Sequence, residues 1–169
     1  PLGGMRLFVG LLDEDLADDP DSSKREKVGK IERELDYLDR VVTDFLDYAR
    51  TQSPELERFD AQEFVDEIGG LLGFEVEESG SSLNVKVDPP GVELTADRAK
   101  LRRAAINCVR NSYQACSRGG AIELRVEAQG SERLVTIQDD GPGIPADKVS
   151  DVLSPFFTTK EKGSGLGLA

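Results

Sequence analysis

Two asparagines, Asn107 and Asn111, stand four residues apart in "NCVRNSYQAC", among the small and apolar residues Leu101, Ala104, Ala105, Cys108 and Ala115. On a helix that spacing puts both amides on one face. An amide oxygen is a hard ligand suited to Mg²⁺, which takes oxygen donors, keeps several waters and works beside substrate phosphates. The same amides could instead satisfy backbone groups at a helix edge.

Two further stretches carry complementary chemistry. In "QDDGPGIP" a strand ends at Asp139 and turns through Gly141, Pro142 and Gly143. A carboxylate held there can accept a hydrogen bond from an amino group on a flat ring, and side-chain-free backbone lets that ring come close. Alone, the stretch also reads as a simple turn or a weak cation site. In "SPFFTTKEKGSGLGLA", Gly163, Gly165 and Gly167 alternate with Ser164, Leu166 and Leu168. Successive N–H groups at a glycine-rich entrance to a helix attract anions, phosphate above all. Lys160 and Lys162 can balance phosphate charge, and Thr158, Thr159 and Ser164 can donate hydrogen bonds, although a bland surface loop uses the same residue types. Leu168 stands where a dinucleotide fingerprint needs glycine, and no G-x-x-x-x-G-K-[ST] motif occurs.

The elements that would position these residues fall into two kinds. Leu2, Met5, Phe8 or Val9, Leu12 and Leu16 recur at helical spacing, and "ADDPDSS" supplies turn and capping residues. A longer helix is expected over 24–50, where Val28, Ile31, Leu35, Leu38, Val42, Phe45 and Ala49 alternate spacings of three and four, the seam of a coiled coil or bundle. A lone hairpin buries such a seam poorly, so pairing with a second copy through residues 1–50 into a four-helix bundle is expected in preference to packing on its own chain. "TQSPELER" reads as a linker. Beyond it the pattern predicts helices near 61–74 and 97–117 and strands in "SSLNVKVD", "VELTA", "AIELRVEAQ" and "RLVTIQDD", the last two joined as a hairpin through "GSE". The fold class is α+β: an N-terminal helical hairpin over 1–53, then a two-layer α/β sandwich over 54–169 with helices on one face of the sheet.

Composition narrows the function. A net charge of −12 over 169 residues argues against a nucleic-acid groove, which draws on clustered Lys and Arg, but permits a local nucleotide pocket. The chain has no histidine, which removes histidine triads and histidine-rich metal sites from it. On one helix Cys108 and Cys116 would be separated by roughly 12 Å, too far for a bridge, so reduced cytosolic thiols are expected. Apolar runs of a few residues are too short to span a membrane and unlike a signal peptide.

Taken in order, the asparagine pair on a helix, Asp-x-Gly-x-Gly after a strand, Phe-Phe-Thr-Thr-Lys and Gly-x-Gly-x-Gly closely resemble the nucleotide-binding motifs of sensor histidine kinases. These belong to the ATPase group that includes gyrase, Hsp90 and MutL, and the leading hairpin resembles the kinases' dimerisation and phosphoacceptor domain. The resemblance implies ATP and Mg²⁺ as cofactors, with Asn111, helped by Asn107, holding Mg²⁺ on the triphosphate. It implies that Asp139 reads the adenine amino group and that Gly141 and Gly143 make room for the base. Thr158, Thr159, Lys160, Gly163, Ser164, Gly165, Leu166 and Gly167 would line the phosphate side. Residues 145–163 would form a mobile lid, anchored or connected to the hairpin by Phe156 and Phe157. The implied reaction is phosphoryl transfer from ATP to a histidine and on to an aspartate of a response-regulator receiver domain.

The family's acceptor histidine lies in a pattern like H-E-x-[RK]-N-P-L, which places it about five positions before Pro1. The family also continues past the glycine run into a helix and at least one strand. The chain is therefore expected to be a cytoplasmic piece of a longer sensor, without a catalytic residue of its own, unable to autophosphorylate, and tied to a membrane only through parts not in this sequence. Two other classes compete: a non-catalytic dimeric nucleotide-binding scaffold, favoured by the missing histidine, and a gyrase-like or chaperone-like ATPase, disfavoured by the coiled stem and by the lack of an acidic general base on the first helix of the nucleotide domain.

Overall fold

The computed structural model describes residues 2–17, 22–49, 53–116, 119–158 and 165–168. These fall into two compact units. One holds the described residues of 1–51 and 156–167; the other holds those of 52–155 together with Leu168.

In the first unit, α1 (Leu2–Asp15) packs against α2 (Ser22–Ala49) as an antiparallel hairpin. Arg6 of α1 reaches Asp36 at 2.6 Å and Asp39 at 3.5 Å on α2, and Arg25 reaches back to Asp13 at 3.6 Å. These exposed pairs contribute little each. The apolar seam of α2 divides into two lines. Val28 and Leu35, one heptad apart, are buried, while Val42, next on that line, and Ile31, Leu38 and Phe45 of the other line are about half exposed. No residue of α1 is buried. Much of the turn expected at "ADDPDSS" lies outside the described residues.

The second unit is the expected mixture of helix and strand: β1 (Glu57–Asp60), α3 (Ala61–Glu78), β2 (Ser82–Asp88), β3 (Glu93–Ala96), α4 (Arg98–Ala115), β4 (Ala121–Gln129) and β5 (Glu132–Asp139). β2, β4 and β5 form a three-stranded sheet in that order, β2 parallel and β5 antiparallel to β4, while β1 and β3 pair separately. Helix α3 turns a stripe of Phe64, Val65, Ile68, Leu72 and Val76 into the core, where Ile122, Leu124 and Val126 of β4 meet it, all essentially fully buried. Alternate residues of β4 point outward, as the period of a half-buried strand requires.

Two expectations need correction. The stretch read as linker ends in a strand, since Glu57 and Arg58 open β1 and pair with Ala96 and Thr95. One buried side chain explains both the strand and its invisibility: Phe59 packs its ring 5.7 Å from that of Phe64, amid charged neighbours and after Pro54. The helix expected to end near 74 runs on to Glu78. Asp60 starts that helix as its N-cap, accepting the N–H groups of Gln62 at 2.7 Å and Glu63 at 3.0 Å.

Candidate functional site

Helix α4 carries both asparagines. Asp97 caps its start, accepting the Lys100 N–H at 3.0 Å, and Ala105, Val109 and Ser112 bury its inner stripe. Asn107 and Asn111 lie half-buried beside that stripe, as i, i+4 spacing requires. The helix ends at Cys116, whose N–H bonds the Ser112 carbonyl at 3.1 Å. Strand β5 ends at Asp139, opposite Ile122 of β4.

These two ends meet at Cys116. A Cβ added to Gly141 would fall 2.8 Å from Asp139 Oδ1, 3.2 Å from Cys116 Sγ and 3.7 Å from Ala115 Cβ, so the turn after β5 lies directly on the end of the asparagine helix. Gly120 is packed as closely, with a Cβ there 2.5 Å from Asp140 Oδ1 and 2.7 Å from Cys116 Sγ. Gly143 is glycine for another reason: it has space around it but adopts φ +71°, which side chains disfavour.

The adjacent carboxylates have different tasks. Asp140 is structural, accepting the Ala121 N–H at 2.9 Å while its own N–H bonds the Ala121 carbonyl at 3.3 Å, which locks the turn to the start of β4. Asp139 Oδ1 accepts the Gly141 N–H at 3.0 Å, an Asx turn that fixes the carboxylate's direction. Among the described residues Oδ2 receives no donor, leaving it to accept one from outside. Burial, with Asp139 and Asp140 adding to it, pushes the Cys116 thiol above its ordinary value, and burial does the same to Cys108; both are unbridged.

Asn107 and Asn111 offer amide oxygens, which suit a hard cation that brings further oxygen ligands with it. Among the described residues no group of three or more Cys, Asp or Glu is arranged to hold a metal ion. Amide oxygens on a helix face are suited to a Mg²⁺ that keeps its waters and arrives on phosphate. Two shallow depressions, one lined by Arg6, Glu32 and Asp36 and one by residues 55–57 and 97–99, include none of the candidate residues.

Of the glycine run, Gly165, Leu166 and Gly167 are described and belong to the first unit, with Phe156, Phe157 and Thr158. Leu166 is buried, and Gly165 adopts φ +65°. Thr159, Lys160, Lys162, Gly163 and Ser164 lie outside the described residues. Sequence reading missed Asp140, Cys116 and Gly120, whose importance appears only once the helix end and the strand end are brought together. It also missed Glu75, which accepts hydrogen bonds from Arg110 and Tyr113 on either side of Asn111. The one available signal was the proximity of Cys116 and Asp140 to the motifs on either side.

Known proteins resemble this chain in both of its parts. A family model described as histidine kinase-, DNA gyrase B- and HSP90-like ATPase matches residues 96–169, and the His Kinase A phospho-acceptor domain matches residues 1–54. The sensor protein kinase PilS of Pseudomonas aeruginosa is 30% identical over 177 residues, covering 99% of this chain and 32% of PilS. Sporulation kinase B of Bacillus subtilis is 29% identical over 171 residues, 99% of this chain and 39% of that protein. The chain thus spans about a third of the length of these curated relatives. Among solved structures, the nucleotide-free catalytic domain of histidine kinase ThkA superposes with a TM-score of 0.62 at 30% identity, over 68% of this chain and 75% of that one. ThkA in complex with the response regulator TrrA gives 0.71 at 26% identity, over 94% and 46%. With a helical hairpin ahead of an α/β unit, an asparagine helix seated on an Asp-x-Gly-x-Gly turn, and both family models matched in order, the chain belongs to the sensor histidine kinase family.

Proposed function

We propose that this chain is the ATP-binding kinase core and dimerisation stem of a sensor that transfers the γ-phosphoryl group of ATP to a histidine and then to an aspartate of a response-regulator receiver domain. The observation that carries the reading is the junction at Cys116, where the helix bearing Asn107 and Asn111 ends against the Gly141 turn that aims Asp139. In this reading 54–169 is the nucleotide domain and 1–53 the stem, acting on the cytoplasmic side. Among the described residues no helix is long and apolar enough to cross a membrane.

Asp139 accepts the adenine amino group through Oδ2, and Gly141 and Gly143 leave backbone against which the ring can lie. Asn111, with Asn107, supplies amide oxygen to Mg²⁺ on the triphosphate; the ion neutralises phosphate charge, the principal need in phosphoryl transfer. The backbone donors of Gly163, Gly165 and Gly167, with Thr158, Thr159, Lys160, Ser164 and Leu166, are assigned to the phosphates on their residue types. The response-regulator partner rests on family membership and on the complex formed by ThkA.

Calorimetric titration with a non-hydrolysable ATP analogue tests the pocket. Binding should be strengthened by Mg²⁺, lost in Asp139→Ala, and insensitive to Mg²⁺ in Asn111→Ala. Acid-labile labelling of the full-length protein by ATP tests the transfer. A full-length protein that binds nucleotide but gains no acid-labile label would instead support the scaffold reading.

A further inference from the structure

A helix can turn about its own axis without breaking any of its internal hydrogen bonds, so the direction of the Asn111 amide depends on what grips α4 from outside. Its fully buried stripe, Ala105, Val109 and Ser112, is made of small side chains, with Leu101, Ile106 and Tyr113 packed partly buried beside it. A directional, hydrogen-bonded grip comes from α3. Glu67 accepts hydrogen bonds from Arg98 at 3.0 Å and Arg102 at 2.5 Å, both in the first half of α4. Glu75, two turns further along the same face of α3, accepts Nε and Nη2 of Arg110 at 3.1 and 2.7 Å and the Tyr113 hydroxyl at 3.1 Å.

The two clamps are alike in chemistry and differ in place. Arg98 and Arg102 hold an end of the helix that Asp97 already caps. Arg110 and Tyr113 flank Asn111. A bidentate guanidinium–carboxylate pair fixes direction as well as distance. We propose that Glu75 is a positioning residue for nucleotide binding: by chelating Arg110 and accepting Tyr113, it sets the rotation of the second half of α4 and so the place of the Asn111 amide. The inference rests on the reading of Asn111 as a ligand of nucleotide-bound Mg²⁺. Arg110 holds the Glu75 carboxyl below its ordinary range, so the clamp stays charged at neutral pH.

Side-chain tips lie about 5–6 Å from a helix axis, so a turn of roughly 10° displaces the amide by about 1 Å. Displacements of that size are felt on the order of 100-fold in rate where geometry is demanding. A single oxygen ligand to a hydrated ion should register about tenfold in affinity.

The test uses the 169-residue chain, titrated with a non-hydrolysable ATP analogue with and without Mg²⁺, with thermal unfolding in parallel. Glu75→Gln should reduce the affinity gained from Mg²⁺ about tenfold and leave Mg²⁺-free binding near that of the parent. Arg110→Lys, which keeps the charge but loses the fork, should do likewise, and Tyr113→Phe, which removes one hydroxyl, should show a smaller loss in the same direction. Glu67→Gln is the matched control: it removes an equivalent clamp, and it should lower the midpoint of unfolding to a similar degree while leaving the Mg²⁺ gain intact. The inference is overturned if Glu75→Gln retains the full gain, or if Glu67→Gln loses as much, since either result makes the clamp an ordinary helix contact. A parent whose binding does not respond to Mg²⁺, or an Asn111→Ala variant with an undiminished gain, overturns the reading of the site and this inference with it.

Discussion

Gly165 lies against the backbone of Phe156: a Cβ at Gly165 would stand 2.7 Å from both the Cα and the carbonyl oxygen of Phe156. Both residues are left-handed, at φ +65° and +66°, and Phe156 is the one non-glycine residue in that region among those described. Its conformation costs on the order of 1 kcal/mol. Gly165→Ala has only backbone to push against, so the two runs must part. Affinity for a nucleotide analogue should fall at least about tenfold, with far-ultraviolet circular dichroism unchanged. Unaltered binding would remove the Gly165 segment from the phosphate side.

Asp139 and Asp140 should separate stability from binding. Asp140→Ala deletes the acceptor for the Ala121 N–H and should lower unfolding free energy by about 1–2 kcal/mol in urea titrations. Asp139→Ala should cost less stability and abolish nucleotide binding. Reversed effects would exchange the roles assigned to the two carboxylates.

Acid should loosen the grip between α3 and α4. Arg102 foremost, with Arg98, holds Glu67 below its ordinary value, and Arg110, with Tyr113, does the same to Glu75. A carboxyl whose folded value is depressed contributes stability above its unfolded value, about 4.3, and loses that contribution as pH falls through that point toward the folded value. Urea midpoints should therefore drop between about pH 5 and pH 3, and more shallowly in Glu75→Gln, which has already lost its share at neutral pH. Parallel profiles for parent and variant would contradict this.

The stem should pair with a second copy. Ile31, Leu38 and Phe45 expose a heptad line of α2 that is 46–49% accessible, while Val28 and Leu35, on the neighbouring line, are already covered. Leu38→Glu places a charge in the exposed line and should convert a dimer into a monomer in equilibrium sedimentation. A parent that sediments as a monomer at every concentration excludes the pairing.

Much of this architecture was legible because the signals were periodic. The alternation in "AIELRVEAQ" and "RLVTIQDD" marks β4 and β5 nearly residue for residue, and the seam of α2 announces a helix over 24–50 where the structure has one from Ser22 to Ala49. The asparagines announce one face of α4 by spacing alone. Features set by encounters between distant segments were not legible. β1 depends on Phe59 finding Phe64 beneath a pairing with β3, and its charged neighbours hide that. Glu67 and Glu75 look like solvated charges until α4 lies beside α3. Cys116 looks like an ordinary small residue in a helix until Gly141 and Gly120 close over it.

The parallel pairing of β2 with β4 should set the tempo at which the chain becomes competent. The β4–β5 turn and the α1–α2 hairpin join neighbouring stretches and can form early. Ser82 must wait for Ala121, with β3 and the whole of α4 looped out between them. Contacts that close such long loops arrive late in folding. Asn107 and Asn111 ride on that loop, so a nascent or partly refolded chain can display native helices while still blind to nucleotide, and recovery of binding should trail recovery of helicity.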